Sequence, residues 1–334
     1  MPTIPLVSII VVYWNSAEHL PRCLDCLARQ SFQNFEVIII DNGSFDKEID
    51  ELAQKFSRFV IRVEHLASNL GFAKANNIGA RLARGKWLAL LNSDAFPEPD
   101  WLEKTLEAAN RCPEYSFFSS RQIQFNLPDI LDGSGDEYHI SGLAWRRFYN
   151  HPVETYGLKE EEVFGACAAA AIYDRNDFLQ VGGFDESYFS YFEDVDLSFR
   201  LRLAGGRCLY IPQAKVYHVG SASSGKTSDF VIYHGHRNMV WTFFKNMPGY
   251  LFWWYLPLHI LMNFFFAFSF LLKGKGPAIL RAKMDAFYGL PAIIPLRRQI
   301  QETRKVSARE ILQVMNKELF APYWALRHRH KRTS

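Results

Sequence analysis

Three carboxylates, Glu193, Asp194 and Asp196, open one helical segment, FEDVDLSFRLRLAG, and four aromatics, Tyr188, Phe189, Tyr191 and Phe192, crowd in just ahead of them. Acidic side chains suit a first helical turn because the macrodipole favours them there, but that does not account for the aromatics. An apolar wall around a carboxylate raises its basicity and fits it to take a proton from a hydroxyl. Glu193, Asp194 and Asp196 are therefore all candidate general bases. Another carboxylate, Asp94, follows the apolar run in KWLALLNSDAFPEPDW and precedes a Pro-rich break. A strand end would deliver it to a ligand. There a hard divalent cation such as Mg2+ or Mn2+ can take one protein carboxylate and share its other positions with water and a diphosphate. The same Asp could simply start a turn. Asp41 and Asn42 in DNGS could accept hydrogen bonds from a base or ribose, or form an ordinary turn. His218, after AKVY, is open to core, surface and metal-ligand readings.

These residues need elements to hold them. In the first hundred residues short apolar runs alternate with helical periodicity, which predicts an α/β fold around a mostly parallel sheet. Strands are expected at Val7 to Tyr13, Glu36 to Asp41, Val60 to His65 and Trp87 to Asn92, with helices at Leu20 to Gln30, Asp46 to Phe56 and Gly71 to Ala83. Ligands of such sheets gather beyond the carboxyl ends of the strands, which puts Asn15, Asp41, Asn42, Asn92, Ser93 and Asp94 at one edge. No GxGxxG and no Walker lysine motif occurs, so hydride transfer and P-loop chemistry lose their main support. From Trp101 to Val163 the periodicity is weak, and loops are expected. SASSGKTSD, Ser221 to Asp229, has the composition of a mobile connection.

Seven blocks then stand in order: VSIIVVYWN, FEVIIIDNGS, NLGFAKANNIGA, WLALLNSDA, GGFDESYFSYFEDVDLSFRLRLAG, YHVG and HRNMVWTFFKN. Through them the chain resembles the inverting family 2 glycosyltransferases of GT-A fold, the bacterial rhamnosyltransferase-like members in particular. The resemblance implies that Asp41 reads the nucleotide base and that Asn69, Gly71 and Asn76 lie near the diphosphate. Tyr13, Asn15, Asn42, Phe72, Asn92 and Ser93 complete the implied donor-binding set. It further implies that Asp94 and His218 hold the metal, Mg2+ or Mn2+, and that Asp194 deprotonates the acceptor. Asn92 departs from the family pattern, because it stands where a DxD motif has its first carboxylate. The implied donor is dTDP-rhamnose, with UDP-hexoses or UDP-galactofuranose as alternatives, and the implied acceptor is a polyprenyl-diphosphate-linked saccharide of a bacterial surface glycan. A non-catalytic, membrane-bound homologue is the other reading that Asn92 leaves open.

Charge divides the chain. From Lys273 onward it carries 14 Lys/Arg against 4 Asp/Glu, so the tail is +10 and the remainder −7. Such a tail seeks an anionic partner. The 23 uncharged residues from Tyr250 to Leu272 favour a membrane over nucleic acid. Pro257, His259 and Asn263 interrupt that stretch and Trp and Tyr cluster at one end, as in a segment seated at headgroup level. Amphipathic stretches are expected at Ala278 to Ile294 and Ile311 to Leu326. The expected division is a catalytic domain over 1–246 and membrane-associating helices over 247–334. Leu6 to Val12 lacks a basic leader and reads as a strand, so the expected location is the cytoplasmic face of the bacterial inner membrane. Five cysteines without a framework spacing predict free thiols, with Cys23 and Cys26 in the core.

Overall fold

The computed structural model describes residues 4–45, 49–56, 58–220 and 228–322. The first half alternates strand and helix: β1 (Val7–Tyr13), α1 (Leu20–Ala28), β2 (Phe35–Asp41), α2 (Ile49–Gln54), β3 (Val60–His65), α3 (Phe72–Leu82) and β4 (Trp87–Asn92). Then come β5 (Ala95–Pro97), α4 (Trp101–Arg111), β6 (Phe117–Gln124), β7 (Leu127–Gly133), β8 (Asp136–Tyr138), β9 (Ala144–Arg146), β10 (Glu161–Val163), β11 (Ala170–Asp174) and α5 (Arg175–Gln180). The chain closes with α6 (Glu193–Leu203), β12 (Cys208–His218), α7 (Asp229–Asn246), α8 (Gly249–Leu272), α9 (Gly276–Glu302) and α10 (Ala308–Val314).

One sheet carries the order β10-β12-β6-β11-β4-β1-β2-β3. Strands β1 to β4 pair in parallel, whereas β11 runs antiparallel to both β4 and β6. Both faces of β1 and β2 are covered, which is why their sequences are continuous apolar runs rather than alternating ones. The free thiols of Cys23 and Cys26 lie buried on the inner side of α1.

The stretch Trp101 to Val163, expected as loops, instead supplies α4 and β6, and β6 lies inside the sheet between β12 and β11. The sequence FFSSRQIQ hides this strand because its buried positions are polar. Ser119, Ser120 and Gln122 are all buried; Trp101 Nε1 donates to Ser120 Oγ (2.8 Å) and Gln122 Nε2 to the Cys167 carbonyl (3.1 Å). Most of Ser221 to Asp229 lies outside the described residues, as does the chain from 323 onward.

α7 packs along α9, with Trp241 Nε1 donating to the Ala286 carbonyl and Arg297 Nη1 to the Phe244 and Met247 carbonyls. α8 buries one face, Leu251, Phe252, His259 and Phe266, and leaves Trp253, Trp254 and Phe264 about 70% exposed. It is 24 residues long with mean hydropathy 1.7, enough by length and composition to cross a membrane. α9 contains the expected stretch Ala278 to Ile294, while α10 covers only the start of the second.

Candidate active site

Strand pairing brings Asp94 to His218. β4 stops at Asn92, two residues turn, and β5 pairs antiparallel with β12 so that Ala95 sits opposite His218. His218 Nε2 is then 3.3 Å from Asp94 Oδ1 and 3.4 Å from Asn92 Nδ2. The other ring nitrogen, Nδ1, lies 2.8 Å from Asp132 Oδ2 on β7, and Arg146 on β9 forms an ion pair with that same oxygen. Burial opposes a charge on His218, but the bonds to Asp132 and Asp94 outweigh it and lift the imidazole to about 9. Burial likewise opposes the Asp94 carboxylate, yet its bond to His218 holds it below the usual range.

A carboxylate on the far nitrogen of a histidine fixes the ring and its tautomer, the usual support of a metal-ligating imidazole. No three His, Cys, Asp or Glu side chains converge as a metal site among the described residues. Asp94 and His218 therefore fit a cation that keeps several waters and shares diphosphate oxygens, not one enclosed by protein. Asp132 and Arg146 were not legible in LDGSGDE, which carries only turn signals, or in AWRRF, which carries no motif.

Asp194 stands at the start of α6. Its Oδ2 accepts from the Ala168 N–H (3.2 Å) and its Oδ1 from the Val195 N–H (2.8 Å). The next residue after Ala168, Ala169, accepts from the Asn92 N–H through its carbonyl (2.9 Å). One short segment before β11 thus ties both clusters together. Burial pushes the Asp194 carboxyl up, and the two N–H donors together with Arg146 temper the rise. Glu193 is raised well above its ordinary value by burial and by the adjacent Asp194 charge. Asp196 instead anchors α6 to α7. Fully buried, it accepts from Arg200 Nε (2.8 Å) and Asn246 Nδ2 (2.7 Å) and pairs with Lys245 Nζ (2.9 Å).

The four aromatics do not form a single wall around Asp194. Tyr188 turns its hydroxyl to Asp196 and Thr242, and Phe189 packs on Phe230 and His234. Their loop is strained, with φ of 66°, 68° and 69° at Phe189, Tyr191 and Phe192. Such conformations persist only where surroundings over-determine them. Here Asn238 Nδ2 lies within 3.1 Å of the Tyr188, Ser190 and Tyr191 carbonyls, and Arg237 Nη2 donates to those of Ser187 and Tyr188.

On the opposite side, Asn42 binds the loop before α3: its Nδ2 donates to Asn69 Oδ1 (3.0 Å) and its Oδ1 accepts from the Leu70 N–H (2.8 Å). Asn69 Oδ1 also accepts from the Gly71 N–H (2.9 Å). Gly71 has φ 85°, and a Cβ there would sit 2.6 Å from the Phe189 carbonyl oxygen, so this loop and the strained one meet at a glycine. Phe72 opens α3 and packs on Phe184. Asp41 accepts from the Ser44 N–H and pairs with His65 (2.8 Å). The Asn42 N–H donates to the Tyr13 carbonyl, and Asn15, at φ 47°, accepts from the Phe45 N–H. Ser93 Oγ meets Ser16 Oγ at 2.8 Å. Asn76 bonds within its own helix, to the Phe72 carbonyl. Its neighbour Asn77 makes the long-range link, to both backbone groups of Phe184 at 2.8 Å.

Residues 8–181 of this architecture match the family model of Glycosyl transferase family 2. The chain belongs to that family. Relatives of this glycosyltransferase include the N-acetylglucosaminyl-diphospho-decaprenol L-rhamnosyltransferase of Mycobacterium tuberculosis, 27% identical over 76% of this chain and 88% of the relative. An uncharacterized glycosyltransferase of Haemophilus influenzae is 37% identical over 59% of this chain and 62% of its own length. Among solved structures, S. aureus TarS 1-349 superposes with a TM-score of 0.59 at 17% identity, covering 92% of this chain and 88% of that one. The mannosyltransferase PcManGT of Pyrobaculum calidifontis, in complex with GDP-Man and Mn2+, gives 0.56 at 15% identity, covering 94% and 86%. At these identities the structures establish the GT-A fold of the glycosyltransferase.

Proposed function

We propose that this glycosyltransferase moves a sugar, L-rhamnose from dTDP-rhamnose in the first instance, onto a polyprenyl-diphosphate-linked saccharide at the cytoplasmic face of a bacterial inner membrane. The observation that carries the transfer chemistry is the tether through Ala168 and Ala169, which sets the raised Asp194 carboxyl beside the Asp94–His218–Asp132 cluster. Asp194 is the general base: the acceptor oxygen attacks the anomeric carbon, its proton passes to an Asp194 oxygen, and the bond to the diphosphate breaks with inversion. A carboxylate has lone pairs to spare beyond the two backbone N–H groups that orient it. Asp94 and His218 would hold Mg2+ or Mn2+, which when bound offsets the charge of the departing nucleoside diphosphate. Glu193 stands beside the base, its carboxyl held toward the protonated form by burial. Asp41, Asn42, Asn69 and Gly71 shape the donor side, with Tyr13, Asn15, Phe72, Asn76, Asn92 and Ser93 around them.

The mycobacterial relative supports the sugar and the acceptor class, since its name states both a rhamnosyl group and a decaprenol diphosphate. Residues 1–246 form the catalytic unit in this reading, and 247–334 seat it on lipid. α8 lies in the interface plane rather than across the bilayer. Its contacts with the body run from Leu251 to Phe266, about 22 Å of helix, and include His259 Nδ1 to the Ser141 carbonyl (2.8 Å). A spanning α8 would drag that part of the body into hydrocarbon. A screen of dTDP-rhamnose, UDP-hexoses and UDP-galactofuranose against membrane lipid extract tests the assignment: label should enter lipid from dTDP-rhamnose, and entry from a UDP-sugar alone would replace that donor.

A further inference from the structure

A cavity of about 370 Å3 lies away from the transfer site, between the C-terminal ends of α6 and α9. Arg200 and Ala204, six and ten residues beyond Asp194 on α6, place it about 9 to 15 Å further along that helix. Four cationic side chains line it, Arg200, Lys245, Arg304 and Lys305, against one carboxylate, Asp185. That carboxylate is spent on Lys245 (2.5 Å), and Arg200 is spent on Asp196 through Nε and on the Val181 carbonyl through Nη1. Among the described residues, Arg200 Nη2 and Arg304 Nη1 are buried without a hydrogen-bond partner, and neither Arg304 nor Lys305 has an ion-pair partner within reach. A buried guanidinium nitrogen left unbonded is costly. With four cations against one carboxylate, the cavity carries unpaired positive charge, which suits an oxyanion.

The other side of the cavity is apolar, with Leu203, Leu296 and Ile300. Leu296 is still 38% exposed, so this apolar side reaches the surface of α9. An anionic head inside and a hydrocarbon portion running out over α9 would satisfy both halves. We propose that this cavity is a second ligand site, for a phosphate group carried on an apolar molecule, with Arg304 and Lys305 as the charges it neutralises. No donor sugar or turnover enters this inference, so its fate is separate from that of the transferase reading.

The test uses the full-length protein in uncharged detergent. Its melting temperature is followed against dihexanoyl phosphatidylglycerol and, separately, inorganic phosphate, with sodium chloride matched for ionic strength. The expected result is a saturable rise with the lipid, its midpoint shifted about 10-fold by Arg304→Gln. Arg298→Gln, which removes an exposed arginine paired with Glu302, should leave the midpoint unchanged. Lys305→Gln is the second variant, since its exposed side chain guards against a folding defect. Saturation by the lipid alone assigns the phosphate to a headgroup. An equal saturable response to inorganic phosphate, with the same dependence on Arg304, assigns it to a free phosphate. No saturable response to either ligand, a response that neither cavity variant weakens, or equal weakening by Arg298→Gln overturns the site.

Discussion

At the helix start they share, Glu193 is buried and Asp194 half-buried, and burial favours the protonated form of each. A carboxyl whose folded value lies above its unfolded value, about 4.3 for Glu, binds more protons folded than unfolded. It therefore supports the fold fully below that value, and the support is lost as pH rises toward the folded value. Glu193→Gln, which cannot ionise, should raise the melting temperature at pH 8 more than at pH 5. Equal shifts at both pH values would remove the buried charge from the account. Asp132 makes a second case. As the carboxylate behind His218 it should tune metal affinity without touching the cation, so Asp132→Asn is expected to weaken Mn2+ binding about 10- to 100-fold. Calorimetry with the metal measures this, and unchanged affinity would leave Asp132 as a partner of Arg146 alone. What the sequence offered here was the acidic residues and the terminal histidine. It could not offer Asp132, since nothing in LDGSGDE distinguishes a turn aspartate from one that crosses 86 residues to a ring nitrogen.

At the scale of elements, β1, β2 and β4 were legible because both their faces are buried and their residues are almost all apolar. β6 was not, because its burial is satisfied by hydrogen bonds from Ser and Gln rather than by hydrophobicity. The strained loop ahead of α6 was equally hidden: an aromatic run says nothing of left-handed backbone until Asn238 is seen beneath it. Asn238 is thus a positioning residue for the base. Asn238→Ala leaves the Ser190 and Tyr191 carbonyls without their donor and should cost about 1–3 kcal/mol of stability. It should also lower kcat about 10-fold or more through a misplaced Asp194, as displacements of an ångström can. A variant with lowered melting temperature but intact kcat would confine Asn238 to packing.

At the scale of the whole molecule, α8 and α9 each leave apolar side chains uncovered. Trp253, Trp254, Phe264, Phe268, Phe287 and Tyr288 on α8 and α9 are each more than 60% exposed, far more clustered apolar surface than isolated exposed residues explain. Lys and Arg of the tail accompany it, each adding about 1 kcal/mol near an anionic leaflet. The full-length protein should sediment with membranes, resist high salt and be released by detergent. Trp253→Ser with Phe264→Ser should shift it toward the supernatant, and free solubility of the wild type without detergent would sink the membrane assignment. Simple truncation after Asn246 is a poorer experiment, because α9 covers Trp241 and caps the Phe244 and Met247 carbonyls.

The most direct measurement is transfer of labelled rhamnose from dTDP-rhamnose to a polyprenyl-diphosphate-linked N-acetylglucosamine by the detergent-solubilised protein, run beside its Asp194→Asn variant with donor affinity measured on both. The account predicts labelled lipid of inverted anomeric configuration from the wild type. In the variant, kcat should fall by a factor of about 100 to 10,000 while donor affinity stays within a few-fold. Near-normal turnover by Asp194→Asn, or a product that retains the donor's configuration, would contradict it.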